Sequence, residues 1–147
     1  MNKKEAKMAN VLKMVILWVL TLILFSLADA VWHFLIFGKA YKEDFKPLAL
    51  MEGEKIIFRK VWGFLAQLLL VSSLIILVLM KNPTSLKDSV LVGFLVGVLA
   101  ITVYGFTNYS LMKDWSFRLT LLEVFWGPVL GSWGGLVVSF LYRWLFK

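Results

Sequence analysis

Four apolar stretches dominate the chain, at roughly 11–37, 56–80, 89–112 and 119–146. As a helix, each is long enough to cross about 30 Å of hydrocarbon. Lipid offers no water to the backbone, so a spanning segment must satisfy its own N–H and C=O groups, in a helix or a closed barrel. Barrel strands alternate apolar and polar residues over short segments, and these runs do not. The expectation is an all-α integral membrane protein, an antiparallel four-transmembrane-helix bundle forming one domain over 1–147. Composition agrees: 61% of the residues are hydrophobic and 17% charged. Soluble domains lie near about half and about a quarter, so a water-soluble globule is excluded.

The rest of the composition narrows the function. The net charge is +7, but the basic residues flank the apolar runs. That is where topogenic and headgroup-contacting charges belong, so no nucleic-acid partner is expected. There is no cysteine and one histidine, His33. Disulfides, thiolate chemistry and His-rich metal sites are therefore absent; a two-carboxylate metal site has no spacing motif behind it, and neither metal nor cofactor is expected. Lys3, Lys4 and Lys7 before an apolar run, with Ala28-Asp29-Ala30 after it, have the look of a signal peptide. The run is too long for an h-region and is read as the first membrane helix.

The connections follow from punctuation. Lys81-Asn82-Pro83-Thr84-Ser85 is a turn with an N-cap for the third helix, and Lys113-Asp114-Trp115-Ser116 is a short hairpin loop. The long first loop, 38–55, carries both signs of charge. It forms either an interfacial turn around Phe45, Leu48 and Met51 or a solvated loop. No repeat supports an inverted-repeat transporter. Flanking basic residues balance between the two sides, Arg143 and Lys147 included. The basic flank of the first helix favours both termini in the cytoplasm.

Antiparallel packing brings the ends of helices one and three beside the starts of helices two and four. The costly polar residues sit there. Asp29 and His33 close helix one, and Arg59 opens helix two with Gln67 deeper. Tyr104, Thr107, Asn108 and Lys113 close helix three, and Arg118 and Glu123 open helix four. Asp29 and His33 share a face at a spacing of four. With Trp32 and Trp126, these residues form the candidate ligand-binding set. An ionisable group in a membrane helix is a functional hypothesis, since its insertion costs roughly 2.5–3.5 kcal/mol. The alternative is pairing near the interface, with Arg59 or Arg118 as counter-ions. Trp32, Trp62, Trp115 and Trp126 are read mainly as aromatic-belt or packing residues.

Gly93-x-x-x-Gly97 and Gly127-x-x-x-Gly131-x-x-x-Gly135 permit close approach of helices. Packing within one chain is the first reading, and docking of a second copy or a partner subunit the other. Tyr104, Asn108 and Glu123 share these faces and are expected to point inward. Pro128 removes the hydrogen bond to the Val124 carbonyl. The freed carbonyl belongs either to a polar pocket or to an ordinary packed kink.

At these residues the sequence resembles the family of small bacterial membrane proteins catalogued as domain of unknown function 2177 (DUF2177). The marks are Asp29-Ala30-Val31-Trp32, Tyr104-Gly105-Phe106-Thr107-Asn108 followed by Met112-Lys113-Asp114-Trp115, and Glu123-Val124-Phe125-Trp126-Gly127. Gly105 and Glu123 both stand where the family usually has Asp. The resemblance covers nearly the whole chain. It implies a four-helix protein, multi-pass in a bacterial inner membrane, and supplies no activity.

Three functions remain. The preferred one is binding or transport of an amphipathic, lipid-like molecule at a polar pocket in one leaflet. There Asp29 and Glu123 would meet a cation or proton, and Arg59, Arg118 or Lys113 an anionic head. The second is an accessory or structural subunit of a membrane complex. The third, a lipid-modifying enzyme, lacks a nucleophile motif and a phosphate-binding loop.

Overall fold

The computed structural model describes residues 2–146; Lys147, counted above among the flanking charges, lies outside them. Helix α1 (Lys3–Ala30) runs into a π-helical stretch, Val31–Ile36, followed by α2 (Gly38–Phe45). A two-residue hairpin, β1 (Met51–Glu52) with β2 (Lys55–Ile56), completes the first loop. Then come α3 (Lys60–Lys81), α4 (Leu86–Gly97), a second π-helical stretch Val98–Thr102, α5 (Val103–Leu111) and α6 (Phe117–Phe146). Four spans are long and apolar enough to cross a membrane: Lys3–Ile36, Lys60–Lys81, Leu86–Leu111 and Phe117–Phe146.

The ends differ from the expected ones for local reasons. The first helix starts at Lys3 because Asn2 and Glu5 form a capping box, which carries the polar N-terminal turns into the helix. The second starts at Lys60, not 56, because Ile56 pairs with Met51 in the hairpin. The third starts at Leu86 because the Ser85 hydroxyl accepts from the Asp88 N–H at 3.2 Å.

Helix α6 is the hub. Its apolar window is 56% buried inside the protein, against 17–22% for the other three. On one side it meets α4 through glycines. A Cβ at Gly93 or Gly97 would run into the backbone of Gly131 or Gly127. A Cβ at Gly135 would run into the Ser89 carbonyl. On another side Gly134, absent from the expected rows, receives Phe25 of α1 and Leu74 of α3. Leu17, Thr21 and Phe25 of α1 and Val71, Leu74, Ile75 and Val78 of α3 are buried along these seams. The outer faces carry exposed leucines such as Leu35, Leu69 and Leu111, as helices solvated by lipid require.

Pro128 lies inside α6, which continues through it. The Val124 carbonyl accepts from the Thr102 hydroxyl at 3.2 Å. The freed acceptor is thus satisfied by a neighbouring helix, and the pocket reading of this carbonyl gives way to packing.

Close backbone contact makes the α4–α6 seam intolerant of bulk. Gly131→Val is expected to lower stability by about 1–3 kcal/mol or to prevent folding, as overpacking does. Gly63 is the control, because nothing lies within 4 Å of a Cβ built there. Gly63→Ala is expected to leave stability unchanged or raise it by up to about 1 kcal/mol. Thermal unfolding of both variants in mild detergent reads the contrast.

Candidate functional site

The polar chemistry gathers where α1 ends and α6 begins. Asp29 sits in the last turn of α1, and Trp32 and His33 lie in the π-helical stretch that follows. Such a stretch widens the turn and redirects side chains, and it recurs at functional sites. Glu123 projects from α6 and is only 6% exposed. Gly105 of α5 lies behind it. A Cβ there would approach the Glu123 Cβ at 3.2 Å, so the absent side chain at 105 leaves room for the longer acid at 123.

Hydrogen bonds, a close approach of His33 to Glu123 and one aromatic stack close a ring of six side chains. Trp126 Nε1 donates to Asp29 Oδ1 at 2.9 Å. Asp29 Oδ1 lies 3.1 Å from His33 Nδ1, which is also 2.9 Å from the Asp29 carbonyl oxygen. His33 Nε2 faces Glu123 Oε1 at 3.6 Å. The Tyr41 hydroxyl donates to the same oxygen at 2.9 Å and accepts from Trp32 Nε1 at 3.1 Å. Trp32 stacks on Trp126 with centroids 4.4 Å apart and planes 5° from parallel. Both nitrogens of His33 thus face acids, Nδ1 within hydrogen-bond distance and Nε2 just beyond it. Trp32 and Trp126, each 8% exposed, are internal members of this network and not belt residues. Trp115 is also buried, with its Nε1 donating to the Thr120 hydroxyl at 3.1 Å. Trp62, by contrast, is exposed.

Tyr41 was not among the expected residues, because it comes from the first loop. Its signal was the apolar spacing Tyr41-Phe45-Leu48, running from a short helix into the turn after it, of which only the last two drew attention. Burial, reinforced by the Glu123 carboxylate, pushes the Tyr41 phenol up. The group therefore remains a donor at neutral pH.

A second contact holds α2 down. Arg118 grips Asp44 through Nε and Nη2, both at 2.8 Å, and reaches Glu43 at 3.0 Å. Arg118 is therefore not a counter-ion for Asp29 or Glu123, because two nearer acids on α2 take it. Arg59 caps the start of α3, exposed and clear of the ring. Thr107 and Lys113 are also exposed, and Tyr104, 52% exposed, lies edge-on to Trp115. Like Arg118, these four do not join the ring: Tyr104, Thr107 and Lys113 follow the outer side of α5 and its loop, Arg59 the outer start of α3. Asn108 is half-buried, with its Nδ2 enclosed and without a hydrogen-bond partner among the described residues.

Beside the ring opens a cavity of about 1100 Å³. Asp29, His33 and Tyr41 form its polar wall, with Gly63 and Gln67 of α3 opposite. Phe45, Leu48, Ile57 and Phe58 give it apolar walls, and the first loop roofs it. That loop is thus a structured cover: α2 runs into a turn after Phe45, with Phe45 and Leu48 packed against the core, so the solvated-loop alternative gives way. Of the twelve candidate residues, Asp29, Trp32, His33, Glu123 and Trp126 meet in the ring, and Gln67 joins Asp29 and His33 at the cavity.

Two outcomes test this geometry. Tyr41→Phe leaves Glu123 short of a donor and Trp32 Nε1 without its acceptor. The expected loss is about 1–3 kcal/mol, read by detergent unfolding, with faster hydrogen exchange in α2. The Arg118 clamp is tested by pH. Its hydrogen bond to Asp44 is the main cause holding that carboxyl below its usual value. A lowered folded value means the contribution is complete above about pH 4 and fades as pH falls through that lower value. The melting-temperature gap between wild type and Arg118→Gln is expected to be open at neutral pH and to close in acid.

Comparison with known proteins returns one family. The model described as predicted membrane protein (DUF2177) matches residues 14–140. No curated protein and no solved structure matches the chain. The match spans the ring, the glycine seam and parts of all four membrane spans, and the chain belongs to the DUF2177 family of predicted membrane proteins.

Proposed function

We propose that this multi-pass membrane protein binds, and in binding carries or presents, an amphipathic lipid-like molecule. The observation that carries the reading is the cavity of about 1100 Å³, with polar groups at Asp29, His33, Tyr41, Gln67 and the charged roof residues and apolar walls at Phe45, Leu48, Ile57 and Phe58. A site of that size, mostly apolar with a few convergent polar groups, is the usual form of a small-molecule pocket. The head would lie against the ring and Gln67, and the tail against Phe45, Leu48, Ile57 and Phe58. The ring would provide a rigid polar floor, since each member is fixed by its neighbours. On this reading the termini face the cytoplasm of a bacterial inner membrane, as the basic N-terminal flank favours.

Gly63 gives the cleanest test. It lines the cavity, and a Cβ built there has nothing within 4 Å. Gly63→Trp is therefore expected to fill the space without disturbing the bundle. In native mass spectrometry from mild detergent, the wild type should retain a lipid-mass adduct. The variant should lose most of it, about tenfold or more (about 1.4 kcal/mol), with an unchanged melting temperature. Equal retention by both proteins would refute the reading.

A further inference from the structure

The charges around the cavity divide into those already engaged and those left free. Asp29 Oδ1 is met by Trp126 Nε1 and His33 Nδ1, and Glu123 Oε1 accepts from Tyr41 with His33 Nε2 3.6 Å away. The acids of α2, Glu43 and Asp44, are held by Arg118. Lys42 and Lys55 also line the cavity, are exposed, and form no ion pair among the described residues. Lys42 neighbours Tyr41 on α2, and Lys55 opens β2, so two separate pieces of the roof each contribute an ammonium. Glu54, beside Lys55 at the hairpin turn, is the one other charged residue on the lining besides Asp29, His33 and these lysines.

From this we infer that the cavity selects amphiphiles with an anionic head, a carboxylate or a phosphate, held by Lys42 and Lys55. The inference rests on the reading of the cavity as an amphiphile site and adds the sign of the head. A cationic head would have to displace His33 from two carboxylates and lie close to two ammonium groups. An anionic head meets the lysines directly and can take further hydrogen bonds from the Gln67 amide. Near a membrane surface each such lysine is worth about fivefold in affinity for an anion.

The test uses the full chain in an uncharged detergent and four probes: oleate, phosphatidylglycerol, phosphatidylcholine and a quaternary-ammonium amphiphile of matched chain length. Binding is read by native mass spectrometry titration. Oleate or phosphatidylglycerol should bind more tightly than phosphatidylcholine, and the better of the two identifies carboxylate or phosphate as the head. The double variant Lys42→Gln/Lys55→Gln should weaken anion binding by about 25-fold and leave phosphatidylcholine unchanged. Lys39→Gln/Lys46→Gln removes two exposed lysines outside the lining and should change neither. An equal loss in both double variants would reduce the effect to general surface attraction and overturn the proposal. So would tighter binding of the quaternary ammonium that is lost on Asp29→Asn. If none of the four probes binds, the amphiphile reading itself fails, and that result is distinct from a reversed preference.

Discussion

Backbone contact between α4 and α6 is the constraint on which the rest of the structure depends. In lipid, two apolar helix faces gain little by meeting, because the acyl chains are equally apolar. Association needs close approach, and glycine permits it. Gly93 and Gly97 lie against Gly127 and Gly131 so tightly that no Cβ could be interposed. This contact, with Gly134 set against Phe25 and Leu74 on another side, makes α6 the centre of the bundle. Glu123 lies one turn before Gly127 on the same helix, so the seam also fixes the position of the buried acid.

A carboxylate enclosed in this way must be satisfied. The protein does so with a closed circuit in which every polar member serves two neighbours or is stacked. Tyr41 both donates and accepts, His33 faces two acids, and the Trp32–Trp126 stack joins the two halves. Such a network is worth more complete than in parts, since a buried polar group left unpaired costs more than one hydrogen bond returns. It also ties three segments distant in sequence: the end of α1, the first loop, and α6. The Arg118 clamp on Asp44 and Glu43 fastens the same loop from outside.

The consequence is a cavity with an ordered polar wall beneath a roof held at two points. The acids that a membrane sequence advertises most strongly are turned toward internal partners. The polar lining groups outside the ring and the Arg118 clamp include the less conspicuous Gln67, Lys42, Glu54 and Lys55. For this protein, the intramembrane carboxylates mark the neighbourhood of the cavity, while the roof supplies its other charges.

The helices were legible because hydrocarbon imposes length and apolarity, which are local properties of sequence. The glycine rows were legible because a spacing of four puts them on one face, and the convergence of Asp29, His33 and Glu123 followed from antiparallel order. Partner choice was not legible. Arg118 could have met Glu123 or the acids of α2, and only the position of α2 decided it. Tyr41 could not be assigned because a loop residue carries no periodicity that fixes its depth. Tyr104 shares a nominal face with the glycines, yet the π-helical stretch at Val98–Thr102 separates it from them and it is exposed. The sequence by itself determined that the chain spans a membrane in four helices and places Asp29, His33 and Glu123 toward one end, because burial in lipid constrains each segment independently. Tertiary structure alone decided which of those residues pair, which face the cavity and which point away, because pairing depends on distances between segments that sequence spacing does not encode.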